Sequence, residues 1–235
     1  MNTQIHPRAS QLFSILAYDA EDGLFLTEDR SLAFGFICQP LSGADLAVAD
    51  RVNVLLNQDW PVETLLQVSL WASPDIDAAL ALMQVRRMAQ QQPFHKDMLR
   101  ATVEFLGQGA QSSLDSAAGM RLRRMQVLVT VKLPMAGAMP TEGDLRRVAE
   151  LRLSTFQSLG TIGLRPEALG SGHYVRLLST ILNWGADAGW HDRISPECDP
   201  ASLIRDQLFD FDKSLRVDAR GLWLGDRFGT AKAKP

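Results

Sequence analysis

At 235 residues, 46% of them hydrophobic, the chain is long enough to bury a sizeable core as one large domain or two small ones. Its formal net charge of −3 speaks against nucleic acid as an obligatory partner, because a phosphate backbone calls for a basic face. No apolar run approaches the ~20 residues that cross a bilayer, so no transmembrane segment is read.

Residues 1–20 lack a basic stretch leading into an apolar one, which leaves no secretory signal. Residues 1–10 are polar, include Pro7 and read as a flexible tail. An acidic turn follows at 19–23, where Asp22-Gly23 supplies a residue that tolerates positive φ. Leu24-Phe25-Leu26 make a short apolar strand, and 27–31 is polar enough to turn the chain. From Leu32 the side chains alternate: Leu32, Phe34, Phe36 and Cys38 share one face, Ala33, Gly35, Ile37 and Gln39 the other, up to Pro40. Ser42 is a candidate N-cap, with Asp45 an acid in the first turn of a helix over 44–58. That helix carries Val48, Val52, Leu55 and Leu56 on one face and stops before Trp60-Pro61.

A strand over 64–72 sets Leu66, Val68 and Leu70 on one side and Leu65, Gln67, Ser69 and Trp71 on the other. Ser73-Pro74-Asp75 then starts a helix that runs to about residue 91 and breaks at Pro93. A second helix covers about 94–107, with Met98, Thr102 and Phe105 on one face, and 107–119 reads as a mobile loop. The clearest strand is 125–133, where Met125, Val127, Val129, Val131 and Leu133 alternate with polar or smaller partners. Thr141 and Asp144 have capping-box spacing for a helix to about 158, with Leu145, Val148, Leu151 and Thr155 inward. A short strand at 161–164, a helix over 171–184 (Tyr174, Leu177, Leu178, Ile181) closed by Gly185, an irregular stretch to 207 and a final hairpin, 214–217 with 222–224, complete the chain. Strands separated by helices and joined by hairpins predict an α+β domain: a mixed or antiparallel sheet, helices on one face, ferredoxin-like if two split βαβ units interleave.

Catalytic patterns are sparse. A phosphate loop needs a Lys-Ser/Thr after its glycines, and the sequence contains no Gly-Lys dipeptide. Leu169-Gly170-Ser171-Gly172-His173 is glycine-rich, but a plain helix entry explains it. Leu222-Trp223-Leu224-Gly225-Asp226 superficially matches an apolar strand ending in a metal-binding acid, a decoy without the loop. A calcium loop with Gly23 as its glycine would place Tyr18 and Ala20 at ligand positions, which fails. His6, His95, His173 and His191 show no i,i+4 pair, and no Gly-x-Ser-x-Gly elbow occurs. Cys38 and Cys198 read as two reduced thiols of a cytoplasmic protein, a disulfide between them staying open at this point. Arg121-Leu122-Arg123-Arg124 reads as edge protection or a surface charge network. Among the aromatics Phe25, Trp60, Trp71, Trp184 and Trp223, core packing is the simpler account of each. Phe25 and Trp71 are the two candidate interface anchors.

The order of these pieces carries a resemblance. The Leu-rich lead at 12–16, Tyr18-Asp19, Gly23-Leu24-Phe25, Gly35-Phe36, Pro40 and Gly43-Ala44-Asp45 together resemble the opening of the TraC family, the transport ATPases of conjugative type IV secretion systems. Phe209-Asp210-Phe211-Asp212 with Leu215-Arg216-Val217 is similar to that family's Phe-Asp followed by Leu-Lys-Val, and Gly221-Leu222-Trp223-Leu224-Gly225 to its closing strand. The similarity spans most of 11–225. It implies a single N-terminal assembly domain over 11–225, with 226–235 a tail or linker toward a RecA-like motor that lies further along in the family. It implies ATP and magnesium in that motor alone, so that this chain holds no catalytic residue, cofactor or metal and is not itself an enzyme. The implied partners are small inner-membrane secretion subunits and other copies of the ATPase, at the cytoplasmic face of the bacterial inner membrane, without direct nucleic-acid contact. On the residues alone a second reading stays open: a free-standing α+β enzyme or ligand-binding domain whose site the sequence does not display.

Overall fold

The computed structural model describes residues 9–87, 93–115, 119–183, 198–209, 213–218, 221–226 and 232–234. Its elements are β1 Ile15–Asp19, β2 Leu24–Thr27, β3 Ser31–Cys38, α1 Leu46–Leu56, β4 Leu65–Ser73, α2 Asp77–Arg87, α3 Pro93–Gln111, β5 Arg124–Pro134, α4 Glu142–Ile162, β6 Glu167–Ala168, α5 Ser171–Leu182, β7 Lys213–Asp218, β8 Gly221–Asp226 and β9 Lys232–Lys234. Short 3-10 turns occupy Ala9–Leu12 and Ile204–Gln207. The chain divides into two compact units, Met1–Val68 with Leu128–Pro235, and Ser69–Val127.

The main sheet runs β1-β2-β3-β5-β4, with β6 also against β3, and β7-β8-β9 form a second sheet. The fold is α+β, as the alternation of elements predicts. Two split units, β3-α1-β4 and β5-α4-β6, interleave in the spatial order β6-β3-β5-β4, which is the ferredoxin-like plan. The β1–β2 hairpin is added at the β3 side, and α2 and α3 are inserted between β4 and β5.

β3 positions the rest of its unit. Its Leu32, Phe34, Phe36 and Cys38 are buried, and Phe36 meets Phe156 of α4 at a ring separation of 5.8 Å. On β5, Val129, Val131 and Leu133 are buried as well. The opposite face of β3 has its own core. Pairing of Phe25 with Ala33 places Phe25 on that face, where it joins Leu169, Val175, Ile204 and Leu208, with Ala33, Ile37 and Tyr174 packed around them. The expected single helical face is therefore only part of the arrangement: α4 covers one side of β3, and α5 lies on the other. Gly35 makes this possible, since a Cβ there would sit 2.9 Å from Leu169 Cδ2 and 3.3 Å from Val129 O.

Local chemistry moved several boundaries. Asp45, not Ser42, caps α1 and accepts from Val48 N at 2.9 Å. Ser73-Pro74-Asp75 forms a turn held by Asp75 N donating to Ser73 Oγ (3.2 Å), so α2 starts only at Asp77. Pro93, free of a backbone N–H, is the first residue of α3 rather than a break. Residues 107–111, expected in a loop, are its last turn; there Leu122 N donates to Gly109 O and Arg123 Nη1 to Ala110 O, both at 2.8 Å. The capping box forms as read, Asp144 N donating to Thr141 Oγ1 and Thr141 N to Asp144 Oδ2. α4 then continues through 161–162 to a left-handed C-cap at Gly163 (φ 101°), and Glu167–Ala168 supplies the strand instead. Ala9 and Ser10 of the expected tail are buried, Lys232–Lys234 pairs with β8, and the final hairpin sets Leu215 opposite Leu224. Gly185, Trp184, His6 and His191 lie outside the described residues.

The two turns of the opening hairpins are tied to the sheet and to α4. Gly23 adopts φ 68°, and Arg152 of α4 lies over it, Nη1 donating to Asp22 O at 3.0 Å. In the β2–β3 turn Asp29 meets Lys132 Nζ at 2.6 Å, and Glu28 meets Arg205 at 2.6 Å. The Thr27 hydroxyl donates to Asp29 and accepts from Ser31 N at 3.1 Å.

Two outcomes test these assignments. Val129→Asp should abolish the cooperative thermal transition, because an unpaired charge buried in the sheet costs several kcal/mol; retained native circular dichroism with an unchanged melt would remove β5 from the core. The Asp29 carboxyl is held below its usual range, first by Lys132 and next by Thr27. A lowered folded value means its contribution is complete above the ordinary aspartate range, about 3.9, and is lost as pH falls through the folded value. The melting-temperature gap between the parent and Asp29→Asn should therefore be open near pH 6 and close as the pH falls toward 3; an equal gap at both pH values contradicts the ion pair.

Candidate functional site

A few titratable groups lie in or against the core. Cys38 is buried and free, its thiol pushed up to about 11 by burial and then by Glu167 nearby. Cys198, also free, is half-buried against the α5 side of the core. Tyr174 is pushed up by burial. Gly170 caps α5 without a side-chain hydrogen bond, a plain helix entry. Arg123 of the basic cluster is drawn down by burial and then by Arg121, and its guanidinium serves the end of α3. Among the described residues no group of three His, Cys, Asp or Glu side chains is placed to hold a metal ion.

The two sequence-derived anchors separate. Phe25 is 2% exposed and stacks between Tyr18 at 4.6 Å and Tyr174 at 5.3 Å, so it is a core residue and offers no surface. Its place in the β2–β3 register decided this, which the sequence alone did not give. Trp71, on β4, is half-buried, and its indole N–H is enclosed with no hydrogen-bond partner among the described residues. Trp60 is half-buried too, with Nε1 donating to Leu55 O at 3.2 Å, and Trp223 lies in β8.

Among the described residues, exposed apolar side chains gather on α3 and on β4, with others elsewhere such as Leu46, Val62 and Met139. On α3, Phe94, Met98 and Phe105 are 70%, 53% and 55% exposed. Their spacing of four and seven residues aligns them in one stripe. Leu99, Val103, Leu106 and Ala110 are the more enclosed apolar residues of the same helix. Met98 and Phe105 do share a face, as their spacing predicts, but that face is the solvent one. α3 has two apolar stripes, and periodicity cannot say which is covered. The second place is β4, the last strand of the main sheet, where Val68 and Leu70 are 62% and 63% exposed.

These features define an α+β chain with exposed apolar side chains on α3 and β4. A family model described as TraC protein matches residues 9–234, and the chain belongs to that family. Membership sets the chain in conjugation and type IV secretion. No curated protein matches it. No helix among the described residues is long and apolar enough to cross a membrane.

Phe25→Ala should cost about 3–5 kcal/mol of unfolding free energy in urea, the usual loss for an enclosed phenylalanine. Trp71→Phe keeps a ring in place and removes an unpaired donor, so it should change stability by less than about 1.5 kcal/mol. A small effect at Phe25 would return it to the surface.

Proposed function

We propose that this chain is the non-catalytic assembly domain of a conjugative transfer ATPase, docking onto small inner-membrane subunits of its secretion system and onto other copies of the ATPase. The observation that carries this reading is the exposed Phe94–Met98–Phe105 stripe of α3. Aromatic and methionine side chains standing in solvent give a partner the anchors in which interface energy concentrates. Family membership supports the secretion context. The mildly acidic charge supports protein rather than nucleic acid as the partner. On this reading the domain works at the cytoplasmic face of the bacterial inner membrane, held there by its partners.

The test is capture of the inner-membrane subunits of its own secretion system by the purified chain. The intact chain should bind them, and Phe94→Ala and Phe105→Ala should each weaken capture at least tenfold, about 1.4 kcal/mol, with little change in melting temperature. Failure of the intact chain to bind any subunit overturns the reading.

The same proposal holds that the chain hydrolyses no ATP. A phosphate loop's lysine has no candidate, since the sequence has no Gly-Lys dipeptide. A phosphate-release assay with magnesium should stay at background; turnover that survives further purification contradicts the proposal.

A further inference from the structure

The joined ends of α2 and α3 differ in charge from the chain as a whole. α2 closes on Val85, Arg86 and Arg87, and α3 opens on Pro93, Phe94, His95 and Lys96. The two helices pack on each other within one compact unit. Only five residues, 88–92, connect them, so both of these helix ends lie at the same end of the pair. Arg86, Arg87 and Lys96 are exposed there. The one acid in the same stretch is Asp97, whose carboxylate Arg100 meets at 2.8 Å. This end is therefore cationic in a chain of net charge −3. Apolar side chains stand out beside the cations: Val85, Phe94 and Met98 are 65%, 70% and 53% exposed.

We infer that this end of the α2–α3 pair seats on an anionic lipid surface of the kind a cytoplasmic membrane leaflet presents. Charge complementarity selects the occupant. Cations set beside apolar side chains match a layer that is negative outside and hydrocarbon within. Arginine and lysine can keep their charge among the headgroups while their stems run along apolar surface. Reach sets the footprint. A rise of about 1.5 Å per residue puts Met98 about 6 Å along α3 from Phe94, and Phe105 about 16 Å. Interfacial elements sink their apolar face about 5–10 Å into the headgroup boundary. An end-on contact thus takes up Phe94 and Met98 and leaves Phe105 to a protein partner. The inference rests on the inner-membrane location proposed above, and adds a hold on the lipid itself.

Flotation of the intact chain with phosphatidylcholine vesicles, with and without phosphatidylglycerol, tests the contact. The chain should rise only with the phosphatidylglycerol vesicles, and added sodium chloride should release it, because salt screens exposed charges. Arg86→Glu combined with Arg87→Glu should weaken vesicle binding at least tenfold, as should Phe94→Ser alone, while Phe105→Ala leaves it unchanged. All four positions are exposed, so the melting temperature should hardly move. No binding to the anionic vesicles, equal binding to neutral ones, or an equal loss from Phe105→Ala overturns the inference. The lipid and salt series use the unaltered chain, so a variant that fails to fold does not blunt them. A chain that ignores anionic vesicles yet captures detergent-solubilised subunits through Phe94 removes the lipid contact and leaves the docking function standing; vesicle binding without capture of any subunit does the reverse.

Discussion

β3 is the wall between two cores, and the rest of its unit depends on that wall being thin at one point. Phe34 and Phe36 fill the side that α4 covers, while Ala33 and Ile37 keep the other side low enough for α5 and Leu169 to approach. Gly35 is where the approach is closest. Leu169 N donates to Gly35 O at 2.9 Å, so the segment after β6 is fixed by a backbone bond and by the missing Cβ together. A methyl group at 35 would press on Leu169 and on the Val129 carbonyl at once, and backbone cannot yield as a flexible side-chain tip can. One small residue thus lets a two-layer α+β sheet carry a third layer.

Much of this was legible in the sequence, because period-2 alternation on β3 and the Thr141–Asp144 capping box are local signals with a single structural solution; on β5 the expected face is buried only at Val129, Val131 and Leu133, while Met125 is exposed and Gln126 and Leu128 are buried. The ferredoxin-like order was one option of the element order and was settled by the strand pairing, with β6 at Glu167–Ala168 in place of the expected 161–164. What failed was decided by partners distant in sequence. Phe25 looks like a hairpin aromatic until its register with Ala33 turns it toward Tyr174. The α3 stripe was found by spacing, yet spacing is blind to which of two apolar stripes meets the neighbouring helix. β1 escaped notice because Ile15–Asp19 has no clean alternation, its ladder being interrupted by the shift at Ile15/Ala17. The end of α4 was misread since Thr161 and Ile162 favour strand in isolation, while the helix behind them supplies the hydrogen bonds that keep them helical until Gly163.

The exposed apolar stripe of α3 was not legible as a surface in the sequence, because exposure has no short motif to announce it. Exposure is a property of the folded chain: Leu70 and Leu133 both sit on apolar strands, but one lies on the outermost strand of the sheet and the other on an inner one. No spacing rule separates them.

Cys38 gives the β3 wall a built-in reporter. Its thiol is enclosed and held protonated at neutral pH by burial and Glu167, and only the thiolate reacts with alkylating or disulfide reagents. Such a reagent can reach it only when the face shared with α4 opens, whereas Cys198 is half-buried and the less enclosed of the two. The two cysteines therefore form a pair of clocks, a fast one that reads the surface and a slow one whose rate is the breathing of the central strand.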